Sequence, residues 1–186
     1  MNKNLLILGA GQYGQVAKEI AESMGCFEKI DFLDDKNEIA IDRLDNYEKY
    51  TVDYSYAVVA IGDPDVRLAY IKKLEEACYR VAILVSPKAY ISSSAQLIKG
   101  TIVEPMAVVN AYATLCIGVF ACAGSIVNHN AFVGDACQLD CGSVVGASAA
   151  LLAKTKLHYN EVYYGMGTAI SMKCPEVNDY KFEDGM

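Results

Sequence analysis

Residues 103–145 decide the fold, and they run VEPMAVVNAYATLCIGVFACAGSIVNHNAFVGDACQLDCGSVV. One apolar side chain recurs every six residues through this stretch and beyond both of its ends. The positions are Val85, Ile91, Leu97, Val103, Val109, Leu115, Ala121, Val127, Val133, Leu139, Val145, Leu151, Leu157 and Tyr163. A helix has a period near 3.6 and a half-buried strand a period of 2, so a fixed period of six indicates a stacked β-solenoid.

A second set of positions supports the same interpretation. Four residues after most of these apolar positions stands a small or short side chain, from Ala89 through Ala107 and Ser125 to Thr155. Each unit therefore buries one aliphatic side chain and stacks on the next unit. We predict parallel strands over residues 85–168 and no helix within 91–150.

The first 84 residues alternate strand and helix signals. Residues 5–8 are a continuous apolar run, as in a strand buried on both faces, and a glycine turn and an amphipathic helix follow. Further strands are predicted over 30–33, 56–61 and 81–84, and a second helix begins after Asp63 and Pro64. The predicted organisation is a small Rossmann-like α/β domain (1–84), the solenoid (85–168) and a solvated tail (169–186).

The composition of the chain limits which classes of binding partner are expected. The net charge of −7 and pI near 4.8 disfavour nucleic acid and anionic membranes and favour a small molecule. No apolar stretch approaches the ~20 residues that span a bilayer. Seven cysteines without CxxC pairs fit a cytoplasmic protein better than a disulfide scaffold.

The glycine turn Gly9-x-Gly11-x-x-Gly14 lies between a strand and a helix, where backbone N–H groups can approach a phosphate. Asp34 or Asp35, about twenty residues on, could bind a ribose hydroxyl. Alone, these features suggest NAD, but the domain is about half of a dinucleotide-binding fold. A purely structural turn is the alternative.

Taken together, these motifs resemble the hexapeptide-repeat acyltransferases. From residue 4 to about 168 the chain is similar to bacterial sugar acetyltransferases of the sialic acid O-acetyltransferase and UDP-4-amino-sugar N-acetyltransferase type. The resemblance implies a left-handed parallel β-helix with three units per coil, so that residues eighteen apart stack and Val109, Val127 and Val145 share one inward stack. It also implies a homotrimer with its site between neighbouring solenoids.

The same resemblance implies that the α/β domain binds a UDP-sugar rather than NAD. The matching motifs are the glycine turn, the end of the second strand, and residues 59–63 with an arginine shortly after them. The substrate-binding residues implied are Gly9, Gly11, Tyr13, Gly14, Asp34, Asp35, Gly62, Asp63, Arg67 and, in the solenoid, Cys122.

His129 matches the family's catalytic histidine, two places after an aliphatic position where a side chain should face outward. A neutral imidazole can accept a proton from an attacking amine or hydroxyl near pH 7. The next residue, Asn130, is often a carboxylate in relatives and is expected to orient the ring. A surface histidine without a catalytic role is the alternative.

Three departures from the family pattern affect the acetyl-CoA site. Cys122 replaces an asparagine, Gln138 replaces a second histidine used near acetyl-CoA, and the solenoid is short. We place Gln138, Gly146 and Ala147 beside acetyl-CoA, with a backbone N–H of the last two as oxyanion donor. The phosphates of CoA could bind Lys154, Lys156 and Lys173.

Stacking by eighteen also aligns Cys122, Asp140 and His158 on one edge of the solenoid. A metal site or nucleophile relay is conceivable there. We interpret the alignment as coincidence and predict no metal ligand.

The prediction is therefore an acetyl-CoA-dependent acetyltransferase that modifies an amine or hydroxyl of a sugar, with His129 as base. The main alternative is a non-catalytic sugar-nucleotide scaffold or sensor on the same fold, and an NAD-dependent module is the second. An ice-binding solenoid is disfavoured because the chain lacks a flat row of threonines.

Overall fold

The computed structural model describes residues 2–165. The predicted tail, the solenoid residues from 166 to 168 and Lys173 lie outside the described residues. No helix within 2–165 has the length and apolarity needed to cross a membrane.

The N-terminal domain is a four-stranded parallel sheet with helices, as predicted. Strands β1 (Asn4–Leu8), β2 (Lys29–Leu33), β3 (Tyr56–Val59) and β4 (Arg80–Val81) lie in the order β2-β1-β3-β4. Helices α1 (Gln12–Met24) and α2 (Pro64–Glu76) and a 3₁₀ helix (Leu44–Tyr50) connect them. The last four residues of β1 are fully buried, which explains their unbroken apolar run.

The predicted fourth strand over 81–84 is wrong in its extent. The strand ends at Val81, and Leu84 begins the solenoid because it pairs with Ile102 one coil further on. Its N–H accordingly donates to the Thr101 carbonyl.

The solenoid consists of two-residue strands that begin every six residues. They are β5 (Leu84–Val85), β6 (Tyr90–Ile91), β7 (Gln96–Leu97), β8 (Ile102–Val103), β9 (Val108–Val109), β10 (Thr114–Leu115), β11 (Phe120–Ala121), β12 (Ile126–Val127), β13 (Phe132–Val133), β14 (Gln138–Leu139), β15 (Val144–Val145), β16 (Ala150–Leu151), β17 (Lys156–Leu157) and β18 (Val162–Tyr163). Each pairs in parallel with the strand eighteen residues away, and no helix interrupts 91–150, as predicted.

Three sheets form the sides of a triangular tube. The first face contains β5, β8, β11, β14 and β17, the second face β6, β9, β12, β15 and β18, and the third face β7, β10, β13 and β16. The periodic aliphatic side chains fill the interior, and the predicted stack of Val109, Val127 and Val145 is confirmed, each being fully buried. We call the turn between the first and second faces the first corner, and that between the second and third faces the second corner.

The period of six also appears in the backbone. From Gly100 to Asn160 every sixth residue has a positive φ, because each corner closes through one left-handed residue. Four of these eleven positions are glycine and two are asparagine, the residues that adopt this conformation most readily. The other five are Met106, Tyr112, Ala136, Ser148 and Lys154.

The two domains pack together through the first face. Leu84, Ile102 and Phe120 on its outer side are buried with the α1 core. Arg67 of α2 is fully buried, lies 3.8 Å from the Phe120 ring centroid and donates to the Ala136 carbonyl of the solenoid at 2.6 Å. The domains therefore form one continuous structure over the early coils.

Candidate functional site

The glycine turn is shaped by close backbone contact. Gly9 has φ of 102°, and a Cβ on Gly14 would lie 2.1 Å from the Gly9 carbonyl oxygen. Any side chain at Gly14 would therefore push α1 away from β1. Gly11 differs, because a Cβ there would meet no atom within 4 Å and would point into open space.

Asp34 braces this turn. One carboxylate oxygen accepts from the Ala10 N–H at 2.8 Å, and the other accepts from the N–H groups of Lys36 and Asn37. Burial acts to raise the pKa of Asp34, but these three donors outweigh it and the pKa lies below its ordinary value. Both oxygens of Asp34 thus help to hold the turn in shape.

A cleft of about 710 Å³ opens beside this turn, lined by Gly11, Asp34, Lys36, Asn37, Glu38 and Ile39. It lies where open α/β sheets bind ligands, at the carboxyl ends of parallel strands. Asp35 is the more exposed aspartate, and one of its oxygens accepts from the Leu44 N–H at 3.3 Å.

The predicted residues at the end of β3 have local structural tasks. Asp63 caps α2 by accepting from the N–H groups of Asp65 and Val66, and the exposed Gly62 gives its carbonyl to Arg67. Burial lowers the pKa of Arg67 to about 10, which still leaves the guanidinium charged at neutral pH. Arg67 is not exposed and donates to backbone carbonyls of both domains, so its guanidinium joins the two domains.

Tyr13 and Cys122 meet at the first corner. The Tyr13 ring stacks on Phe120 with centroids 4.2 Å apart. Burial, Cys122 and Glu104 raise the pKa of Tyr13, and burial with Glu104 raises the pKa of the Cys122 thiol well above its usual range. Cys122 is thus a protonated thiol at neutral pH, which disfavours the nucleophile relay.

Glu104 was missed by the sequence analysis. It lies eighteen residues before Cys122 and is buried, with Oε2 accepting from the Ala123 N–H at 3.1 Å. The stacking rule that aligned Cys122 with Asp140 could have found it one coil earlier.

The rest of that column is a set of local pairs. Asp140 is buried, accepts from the Gln138 amide at 2.8 Å and lies 3.1 Å from the Lys156 ammonium. His158 is exposed, and its N–H donates to Glu161. No group of three or more His, Cys, Asp or Glu within 2–165 could hold a metal ion, so the metal alternative gains no support.

His129 lies at the second corner. It is exposed, and the Asn130 amide nitrogen lies 3.1 Å from its Nδ1. The Asn128 side chain accepts the His129 N–H at 3.3 Å. One coil to either side along the column stand Ala111 and Ala147, whose short side chains leave room beside the imidazole.

Backbone hydrogen bonds near His129 decide between the two predicted oxyanion donors, Gly146 and Ala147. The Gly146 N–H donates to the Tyr163 carbonyl at 2.8 Å, so it is engaged within the sheet. The exposed Ala147, next along the chain and one coil from His129, is the remaining candidate. Lys154 and Lys156 pair with Asp65 and Asp140 respectively.

The predicted residues therefore fall into two groups. The first group lies around the first corner. Cys122 is in that corner, Tyr13 of the glycine turn stacks on Phe120 next to it, and Gln138 is on the first face. His129, Asn130 and Ala147 lie at the second corner. The second face separates the two groups within one chain.

Solved structures share this architecture. The acetyltransferase domain of PglB from Neisseria gonorrhoeae, in complex with acetyl coenzyme A, matches with a TM-score of 0.85 and 22% identity over 89% of this chain and 83% of that one. WeeI from Acinetobacter baumannii matches at 0.67 and 14%, over 85% and 92% of the two chains. A perosamine N-acetyltransferase variant from Caulobacter crescentus, with CoA and GDP-perosamine, matches at 0.58 and 18%, over 86% and 90%.

These matches define the class of fold, which is an α/β domain followed by a left-handed parallel β-helix, as predicted. Residues 4–74 match the family described as the PglD N-terminal domain. The resemblance to hexapeptide-repeat sugar acetyltransferases is thereby confirmed at the level of the fold.

Proposed function

We propose that this protein transfers the acetyl group of acetyl-CoA to an amine or hydroxyl of a nucleotide-linked sugar, with His129 as general base. The observation that carries the proposal is the exposed imidazole, oriented by Asn130 and flanked by two alanines. Structural relatives bound to acetyl coenzyme A, or to CoA with GDP-perosamine, support the choice of substrates.

The chemistry requires one tautomer of His129. Its Nε2 must accept the proton of the acceptor as the nitrogen or oxygen attacks the thioester carbonyl, so Nδ1 must carry a hydrogen. Asn130 then presents its amide oxygen to Nδ1–H, a rotation that an exposed amide makes readily. The Ala147 N–H stabilises the tetrahedral oxyanion. When the C–S bond breaks, the leaving CoA thiolate takes the proton from the imidazolium.

The same proposal includes a homotrimer. The outward side chains of the second face are apolar in every coil, namely Tyr90, Val108, Ile126, Val144 and Val162. The first face provides a comparison, because its outward residues are apolar where the α/β domain covers them and become Gln138 and Lys156 beyond it. An apolar face that this chain leaves uncovered favours a partner copy.

Assembly around the second face would complete the site. The two edges of this face are the first corner, near the glycine turn, and the second corner, with His129. In a closed ring of copies, the first corner of one chain meets the second corner of the next. A sugar nucleotide on one α/β domain would then reach the base of its neighbour.

We further propose that the protein acts in the cytoplasm, since none of the six described cysteines forms a disulfide. The scaffold alternative retains one supporting observation, namely that Cys122 is buried and Gln138 is engaged with Asp140. The NAD alternative would rely on the more exposed Asp35 for its ribose contact, because Asp34 accepts from the backbone of the turn.

The test is transfer itself. Acetyl-CoA is incubated with UDP- and GDP-linked 4-amino sugars, and CoA release and product mass are measured. His129→Ala should lower turnover by about 10²–10⁴-fold while its melting temperature stays unchanged, because the side chain is exposed. Absence of transfer by the unmutated protein, with sugar-nucleotide binding intact, would establish the scaffold instead.

A further inference from the structure

Tyr112 occupies an unusual position on the second corner. Its side chain is 68% exposed, and its backbone has φ of 59°, in the left-handed region that disfavours bulky residues. The other residues of its column are Ser94, Asn130 and Ser148, all small or polar. A large aromatic ring is thus held outside the core at a position where glycine or asparagine would cost less.

Backbone hydrogen bonds fix the position of Tyr112 along the solenoid. The Tyr112 N–H donates to Ser94 Oγ at 3.1 Å, and the Asn130 N–H donates to the Ala111 carbonyl at 2.9 Å. Tyr112 therefore lies one coil, ~4.8 Å, before Asn130. Ala111, which adjoins Tyr112 in sequence and lies one coil before His129, has only a methyl side chain.

The two substrates are expected on opposite sides of His129 along the solenoid axis. The α/β domain packs on the early coils, through Ile102 and Phe120, so a sugar nucleotide approaches from the N-terminal end. Ala147, the candidate oxyanion donor, lies one coil past His129 on the opposite side. The acyl group thus belongs on the Ala147 side and the acceptor on the Tyr112 side.

We propose that Tyr112 is a specificity-determining residue whose ring packs against the apolar C–H face of the acceptor hexose. This inference rests on the proposed transferase function. The aromatic ring supplies a flat apolar surface, and its hydroxyl can remain in water. It orients the sugar so that the amine or hydroxyl to be acetylated points at His129.

The experiment compares Tyr112→Ala and Tyr112→Phe with the unmutated protein, using acetyl-CoA and a UDP-linked or GDP-linked 4-amino sugar. Tyr112→Ala should raise KM for the sugar nucleotide about tenfold and leave KM for acetyl-CoA within twofold. Tyr112→Phe should retain both values, because the ring is kept.

Leu152→Ala is the matched control. Leu152 is a large apolar residue, 65% exposed, in the turn between the third and first faces, away from both edges of the second face. It should change neither KM. Equal effects of Tyr112→Ala and Leu152→Ala, a selective loss of acetyl-CoA affinity, or dissociation of the oligomer on gel filtration would each overturn the role of Tyr112. Those outcomes leave the transferase function standing, whereas absence of transfer by the unmutated protein would overturn both.

Discussion

Gly14→Ala gives a direct test of how the glycine turn is built. The added Cβ would lie 2.1 Å from the Gly9 carbonyl oxygen, and both atoms belong to or adjoin backbone, so no rotamer change relieves the clash. Helix α1 must move by about 1 Å, and overpacking of this kind costs about 3 kcal/mol. For a chain of this length the melting temperature should fall by about 6–12 °C.

Gly11→Ala is the control, because Gly11 belongs to the same glycine turn but its added Cβ would not clash. Its Cβ meets no atom within 4 Å, so we expect a stability change below about 1 kcal/mol. Because Gly11 lines the cleft, the same variant should weaken binding of UDP or UDP-sugar. Calorimetry measures both melting temperatures. A Gly14→Ala protein that melts within 2 °C of the unmutated one would refute the close helix–strand packing.

Four further changes test the site and the frame around it. Asn130→Asp should raise kcat several-fold, because a carboxylate accepts from Nδ1–H only and stabilises the imidazolium; an unchanged or lower kcat in steady-state assays would contradict the tautomer argument. Met106→Gly should stabilise the fold by about 0.5 kcal/mol in urea titrations, because its left-handed backbone suits glycine; destabilisation would mean that the side chain packs on a partner. Burial raises the pKa of Cys137 to about 11 and the pKa of Cys122 well above its usual range, so both thiols favour the folded state fully below about pH 9. The melting temperature should therefore fall between pH 9 and 11, and a Cys122→Ala, Cys137→Ala double variant should lose less over that range. Mixed refolding of His129→Ala with Gly11→Leu chains should restore activity at about a quarter of the sites, provided that one site takes its base and its sugar-nucleotide cleft from different copies; no recovery would place both in one chain.

The solenoid could be predicted almost residue by residue, because its period is local. Each unit must bury one side chain and return to the next coil. This constraint appears in the sequence as Val109, Val127 and Val145, and in the backbone as a left-handed residue every six positions from Gly100 to Asn160. The junction was harder to predict. Leu84 has the apolar character of both a sheet strand and a solenoid strand, and only its pairing with Ile102 decides between them.

The sequence indicated which residues lie near the candidate site, but it did not indicate what each of them does there. His129 faces outward, as its place after Val127 implied. By contrast, Asp34, Asp63 and Arg67 look like ligand contacts in sequence, yet they satisfy backbone groups in the structure. A turn that brings N–H groups to a phosphate also requires side chains to hold the turn, and a sequence does not tell these two roles apart.

Cys122 stands where the resemblance implies an asparagine, and this difference has a physical consequence at the first corner. An amide could bond a polar acceptor group, whereas the Cys122 thiol is protonated and packed with Tyr13 and Glu104. The chain therefore fills this position with its own side chains. If it is a transferase, recognition of the acceptor must shift toward exposed groups, and on the second corner that group is Tyr112. Cys122→Asn would then leave KM for the sugar nucleotide nearly unchanged, and Tyr112→Ala would raise it. The reverse order of effects would return acceptor recognition to the first corner.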